Sequence, residues 1–119
     1  YPADKAVAEW VSARTEPDEP LATLGGYGAT PVYLAERPPA SRYVFTYHLF
    51  HERTADHPLV RSMRATLLAD LQTSQPTYVL LFRPVQEFEQ FAPVYDWLTS
   101  NYALEREFQD GRILYRRAL

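Results

Sequence analysis

Apolar positions in this chain follow a helical period in some stretches and run continuously in others. Between Asp4 and Arg14, Ala6, Val7, Trp10 and Val11 return every three or four residues, so a helix is expected there. The cluster EPDEP, Glu16 to Pro20, breaks it. Leu21 to Leu24 predicts a short buried strand, closed by Gly25-Gly26-Tyr27-Gly28. Thr30 to Ala35 follows as a short helix, with Pro31 tolerated in its first turn. Arg37 to Ser41 is expected as a loop. Tyr43 to Tyr47 (YVFTY) is aromatic and β-branched enough to predict a strand.

The second half is patterned more strongly. Pro58 to Thr73 places Leu59, Val60, Met63, Leu67, Leu68 and Leu71 on one helical stripe, with Asp56 as the expected N-cap. Tyr78 to Phe82 (YVLLF) is a continuous apolar run, the mark of a central parallel strand covered on both faces. Phe88, Phe91, Tyr95, Leu98 and Tyr102 step by three and four. They predict a helix from Phe88 to Asn101, with Pro93 in its first turn or at a kink. Leu104 to Phe108 and Ile113 to Arg117 flank Asp110-Gly111, a type I′ hairpin signal. Strands alternating with helices imply right-handed crossovers. The expected fold class is α/β: a three-layer α/β/α sandwich, mainly parallel, with a C-terminal antiparallel hairpin.

Length and composition narrow the function. At 119 residues the chain is one domain, 1–119, with room for a single core. Apolar residues make up 46% and charged residues 23%, which argues against wholesale disorder. A net charge of −3 argues against a general nucleic-acid binder. The absence of cysteine excludes disulfides, thiolate metal sites and cysteine nucleophiles. No apolar run reaches the roughly 18 residues of a membrane span. The chain opens on Tyr1-Pro2 without a signal-peptide pattern, as expected of a piece cut from a longer protein at a domain boundary.

Candidate chemistry is sparse. Gly25 to Gly28 sits between a strand and a helix, where a dinucleotide loop would lie. A fingerprint read from Gly26 fails, because Pro31 stands at the third glycine and no acidic residue ends the next strand. The glycines then read as a tight turn needing positive φ, or as a backbone nest for another anion through Gly26 and Gly28. His48, His51, Asp56 and His57 are the one histidine cluster; a metal site would need them to converge, and surface histidines in a connecting loop are the commoner outcome. Glu87 and Glu89 suit a helix N-terminus without catalysis. No Gly-x-Ser-x-Gly elbow occurs, and no cofactor is expected.

The stretch Tyr33 to Phe45 differs in kind. Pro38-Pro39 stiffens a turn and holds Arg37 and Arg42 at a set separation, suited to phosphate or carboxylate. Tyr33 and Tyr43 offer ring faces for a sugar or for arginine stacking. The plainer alternative makes Arg37 a cap on the short helix and Arg42 the partner of an acidic neighbour.

The run WVSARTEPDEPLATLGGYGATPVYLAERPPASRYVF resembles the soluble C-terminal region of bacterial membrane glycosyltransferases of the GT-C type, relatives of dolichyl-phosphate-mannose protein mannosyltransferases and aminoarabinose transferases. In that family an amphipathic helix, here Ala3 to Arg14, follows the last transmembrane helix. A glycine-ended strand, a tyrosine-bearing helix and a turn like Arg37-Pro-Pro-Ala-Ser-Arg-Tyr43 come next. Leu67 to Phe82 and Tyr102 to Arg117 are similar to later segments; the His48 to His57 insert has no characteristic counterpart.

The resemblance implies an accessory domain on the extracytoplasmic face of the membrane, serving a transferase that uses a polyprenyl-phosphate sugar. Its implied partners are the membrane helices of the parent chain, the donor and the acceptor, and no nucleic acid. The family's catalytic carboxylate lies in a loop between early transmembrane helices, so no catalytic residue is assigned here. Two alternatives stay open: a soluble ligand-binding domain using Gly25 to Gly28 for an anion, and a structural module with Trp10, Tyr27 and Trp97 as an exposed aromatic patch.

Overall fold

A computed structural model of the chain describes residues 2–118. Helix α1 (Pro2–Ser12) leads to strand β1 (Leu21–Leu24) and helix α2 (Ala29–Ala35). Two single-turn 3-10 segments, Tyr47–Phe50 and Glu52–Thr54, precede the long helix α3 (Pro58–Ser74). Strand β2 (Tyr78–Leu81), a 3-10 turn at Val85–Phe88, helix α4 (Ala92–Asn101) and the strands β3 (Tyr102–Glu107) and β4 (Ile113–Arg117) complete the order.

The four strands form one mixed sheet in the order β1-β2-β4-β3. β1 runs parallel to β2 with Leu21 opposite Tyr78 and Leu24 opposite Leu81. β4 is antiparallel to both β2 and β3. One ladder is therefore parallel and two are antiparallel, where a mainly parallel sheet was expected. The difference traces to Tyr43–Tyr47, which does not enter the sheet as a strand and so supplies no second parallel pair.

All four residues of β1 and all four of β2 are buried, as continuous apolar runs require when both faces are covered. Alternation divides them between two cores. Leu21, Tyr78, Leu80 and Leu114 pack with Val7, Ala8 and Val11 of α1 and Val32 and Ala35 of α2. Ala22, Leu24, Val79 and Leu81 pack with Leu67 and Leu71 of α3, Val94 and Leu98 of α4, and Phe50, Phe88 and Phe91 from the connecting turns. A one-residue slip of either strand would exchange the two sets, so the register is fixed by burial on both sides.

The segment expected as a fifth strand does something else. Leu21 N–H donates to Pro38 O (2.9 Å) and Ala40 N–H donates to Leu21 O (3.1 Å), so the proline turn runs along the free edge of β1. Further on, Gly28 N–H donates to Val44 O (2.7 Å) and Thr46 N–H to Gly26 O (2.9 Å), which folds Val44–Thr46 over the glycine loop. Pro38 and Pro39 have no N–H with which to continue a ladder. The alternation in YVFTY survives as orientation: Thr46 is fully buried and its Oγ1 accepts from Gly25 N–H (2.8 Å), while Phe45 and Tyr47 face solvent.

Smaller corrections have local causes. His57, rather than Asp56, caps α3: its Nδ1 accepts from Leu59 N–H at 3.1 Å, with Pro58 in the first helical turn. Leu59 falls on the outer side of that first turn and is exposed. α4 starts at Ala92, after Phe88 has been used in a 3-10 turn, and Pro93 lies in its first turn. The hairpin has a three-residue loop: Gly111 N–H donates to Phe108 O (3.0 Å) and Phe108 N–H to Arg112 O (2.7 Å). Gly111 has φ +88° but Asp110 does not enter the left-handed region, so the turn is of the type I plus bulge kind instead of I′.

Thr46 gives a direct measure of how much closure of the glycine loop contributes. Thr46→Val keeps the shape and removes the acceptor for a buried amide, and should cost about 1–3 kcal/mol. Thr46→Ser should retain most of the stability. Urea unfolding midpoints, compared at unchanged m-value, report the difference.

Candidate functional site

Arg37 and Arg42 do not form a joint anion site. The Arg37 guanidinium spans the ends of two helices. Nε donates to Thr15 Oγ1 (2.9 Å), Nη1 to Ala35 O (3.0 Å), and Nη2 to Ser12 O (3.1 Å) and Thr15 O (2.9 Å). Ser12 ends α1, Thr15 follows it and Ala35 ends α2, so a cation there complements both the unpaired acceptors and the helix dipole. Arg42 forks onto Asp70 of α3, Nε to Oδ2 and Nη2 to Oδ1, both at 3.0 Å. Asp70 Oδ2 also accepts from Ser41 Oγ (3.0 Å) and from the Arg42 backbone N–H (3.1 Å). Both guanidinium groups are committed to holding the turn.

The remaining candidates separate in the same way. Tyr33 is 80% exposed on α2, whereas Tyr43 is half-buried against the α3 side of the core. Gly26 and Gly28 are glycines because of close packing: an added Cβ would meet the Phe82 ring at 2.5 Å in the first case and overlap Thr23 in the second. Only Gly25 of this loop needs positive φ, at +84°, and its open side is filled by Phe88 and by Nε of Arg83. With the Gly25 and Gly28 amides bonded to Thr46 and Val44, the loop is closed on itself and is not an open nest.

The histidines stay apart in role. His51 Nδ1 accepts from Arg53 N–H (3.1 Å), His57 caps α3, and His48 is exposed. Among the described residues no three His, Asp or Glu side chains are grouped to hold a metal ion.

What the fold does assemble lies at the carboxyl ends of β1 and β2, the usual ligand edge of parallel strands. Tyr27 and Tyr47 stack at 6.1 Å with planes 10° apart, and Phe45 meets Tyr27 edge-on at 5.8 Å. All three rings are exposed: Tyr27 by 66%, Phe45 by 52% and Tyr47 by 45%. Trp10 and Trp97 do not join them, because both are half-buried; Trp10 donates to Glu105 Oε2 (2.8 Å) and Trp97 packs on Tyr102 at 4.9 Å. Tyr47 and His51 continue the platform into a cleft of about 590 Å3, faced by Gln86, Glu87 and Gln90 on the other wall.

Arg83 enters this cleft from the end of β2. Its Nη2 donates to Phe50 O (2.9 Å), Nη1 lies 3.9 Å from Glu87 Oε1, and the guanidinium sits 5.2 Å from the Phe88 ring centroid. Its Nε is buried and has no hydrogen-bond partner among the described residues. The sequence held a signal for this residue, a charge placed directly after the apolar run YVLLF and before Pro84. Phe45 and Tyr47 were legible only as members of an expected strand.

A scan against models of known protein families finds no match for this chain, and a search of curated proteins finds no significant relative.

Two expectations follow for the arginines. Arg37→Ala should destabilise the domain by about 2–3 kcal/mol, since it strips a charged donor from several helix-end carbonyls, and Arg37→Lys should recover a minor part. Thermal or urea unfolding measures both. For Asp70, the hydrogen bonds from the Arg42 side chain are the main cause holding its carboxyl below the usual range, against burial. A lowered folded-state value stabilises the fold above the unfolded-state pKa near 3.9, and the gain fades as pH falls through the folded value. Wild type should therefore exceed Asp70→Asn in stability at pH 7, and the gap should start to narrow below about pH 4 and close only below the lowered folded-state value. Paired unfolding curves across that range check it.

Proposed function

We propose that this chain is an extracytoplasmic accessory domain of a membrane glycosyltransferase that draws its sugar from a polyprenyl-phosphate donor. The observation that carries the reading is the run from Trp10 to Phe45, which resembles the region following the last membrane helix in GT-C enzymes. In the fold this run acts as one unit. The ends of α1 and α2 are tied together by Arg37, and the following turn is clipped to α3 through Arg42 and Asp70.

On this reading the domain is a three-layer α/β/α sandwich, α1 and α2 over one face of the sheet and α3 and α4 over the other, as the two separate cores support. Its task is binding and positioning. The catalytic carboxylate of that family belongs to a membrane loop of the parent chain, and the domain's partners are the parent's membrane helices, the donor and the acceptor. Among the described residues no helix is long and apolar enough to cross a membrane, so the reading places the membrane-embedded chemistry elsewhere in the parent. The self-closed glycine loop disfavours an anion-binding domain, and the packed tryptophans disfavour a module docking through Trp10 and Trp97.

Topology and activity test the reading together. The full-length protein, tagged on the C-terminal side of this domain, should fractionate with membranes. External protease should remove the tag from intact spheroplasts. Those membranes should transfer labelled sugar from a synthetic polyprenyl-phosphate sugar. A tag recovered in the cytosol, or protected until the spheroplasts are lysed, would overturn the reading.

A further inference from the structure

We propose that the cleft beside Tyr47 binds a neutral saccharide, with a pyranose ring laid against the part of the Tyr47 ring that stays open to the cleft between Tyr27 and Arg83, and its hydroxyls shared among Arg83, Gln86 and Gln90. Tyr27, Phe45 and Tyr47 are three of the six large hydrophobic side chains left exposed among the described residues, and they are contiguous. Flat rings held open to water at the lip of a cleft that also presents Arg, Gln and Glu side chains offer a stacking surface for the C–H face of a sugar. The rings are held in advance. Tyr47 stacks on Tyr27 and meets His51 edge-on at 5.8 Å, and the intervening Thr46 is locked beneath by Gly25 and Gly26. A site whose parts are already ordered loses less entropy on binding.

The lining selects the ligand class. Glu52, Glu87 and Glu89 provide acceptors, Arg83 provides donors, and the amides of Gln86 and Gln90 provide both. A hydroxyl also donates and accepts, so a sugar can satisfy this mixed set. A phosphate or carboxylate would meet three carboxylates for one arginine, and that arginine already faces Glu87 and donates to Phe50 O. A simple cation would leave Arg83 with a like charge. The inference leans on the glycosyltransferase reading only for the source of the sugar, which is either the donor head group or an acceptor glycan.

Titration of the 119-residue chain by amide-detected NMR tests the site without membrane or donor lipid. A topology result against the transferase reading would therefore leave the site standing, and an empty cleft would leave the topology standing. Glucose, mannose, galactose and N-acetylglucosamine, with their β-linked disaccharides, should include a binder with Kd on the order of 1 mM. Saturable shifts should centre on Tyr47, His51 and the Gln86 and Gln90 side-chain amides. Tyr47→Ala should weaken binding about tenfold. Gln90→Ala should also weaken it, and Tyr33→Ala, which changes an exposed tyrosine outside the cleft, should have no effect. Equal binding of the matching sugar 1-phosphate would assign the donor head group, and weaker binding an acceptor glycan. No saturable shift with any of these sugars, shifts indifferent to Tyr47→Ala, or tighter binding of inorganic phosphate or tetramethylammonium would overturn the proposal.

Discussion

Strand β1 lies at the edge of the sheet, yet every one of its residues is buried. A buried edge cannot leave backbone N–H and C=O groups facing nothing, so something other than a strand has to cover it. Residues 37–46 do so, and most of the features of this domain follow from how they manage it. Pro38 O accepts from the Leu21 N–H and Ala40 N–H donates to Leu21 O, both on the free edge; Val44 and Thr46 bond to the glycine loop beyond the strand. The cover is irregular backbone, so it needs anchors at each end. Arg37 fixes its start to the ends of α1 and α2, and Asp70 fixes its middle through Ser41 and Arg42. Ser74 Oγ adds a bond to Ala40 O at 2.8 Å. The arginines that drew attention in the sequence are the fasteners of this cover.

The same constraint explains what the sequence made legible. β1, β2, α2 and α3 were readable because their burial patterns are local: a continuous apolar run, or a stripe with a helical period, suffices. Tyr43–Tyr47 was misplaced because alternation says which side chains face outward and says nothing of which backbone they pair with. The choice was made by Pro38-Pro39 upstream and by glycines some 20 residues away in the chain, a separation that no local pattern reports. Asp70 was hidden for the same reason, being 28 residues from Arg42 on a different element. The ends of α2 and α3 were legible to within a residue, although Glu36 and Gln75 just beyond them take left-handed conformations, at φ 54° and 45°, without the glycine that usually marks such positions.

The glycine loop shows how one motif can serve packing and still shape a site. Gly26 and Gly28 leave room for Phe82 and Thr23, and Gly25 leaves room for Phe88 and Arg83. Each missing Cβ lets the end of the sheet close more tightly than any larger residue would allow. Closing it buries Thr46, and burying Thr46 turns its neighbours Phe45 and Tyr47 outward next to Tyr27. The exposed rings are thus a consequence of the β1 cover, positioned by residues that never touch a ligand. Precision at such a surface comes from the packing beneath it.

Charge placement separates the two kinds of arginine in this domain. Arg37 and Arg42 meet carbonyls or a carboxylate in forked geometry, and binding a further anion would mean breaking those bonds. Arg83 is held less completely. It has one short bond to Phe50 O, a longer approach to Glu87 at 3.9 Å, and a guanidinium 5.2 Å from the Phe88 ring centroid and 5.9 Å from that of Tyr47. Carboxylates around it keep the cleft from being an anion trap, while its own charge keeps the cleft from being a cation trap. A ligand that is uncharged, rich in hydroxyls and flat on one face suits that balance. This is why the surface built by covering one strand edge favours saccharide recognition over the phosphate recognition that two closely spaced arginines first suggest.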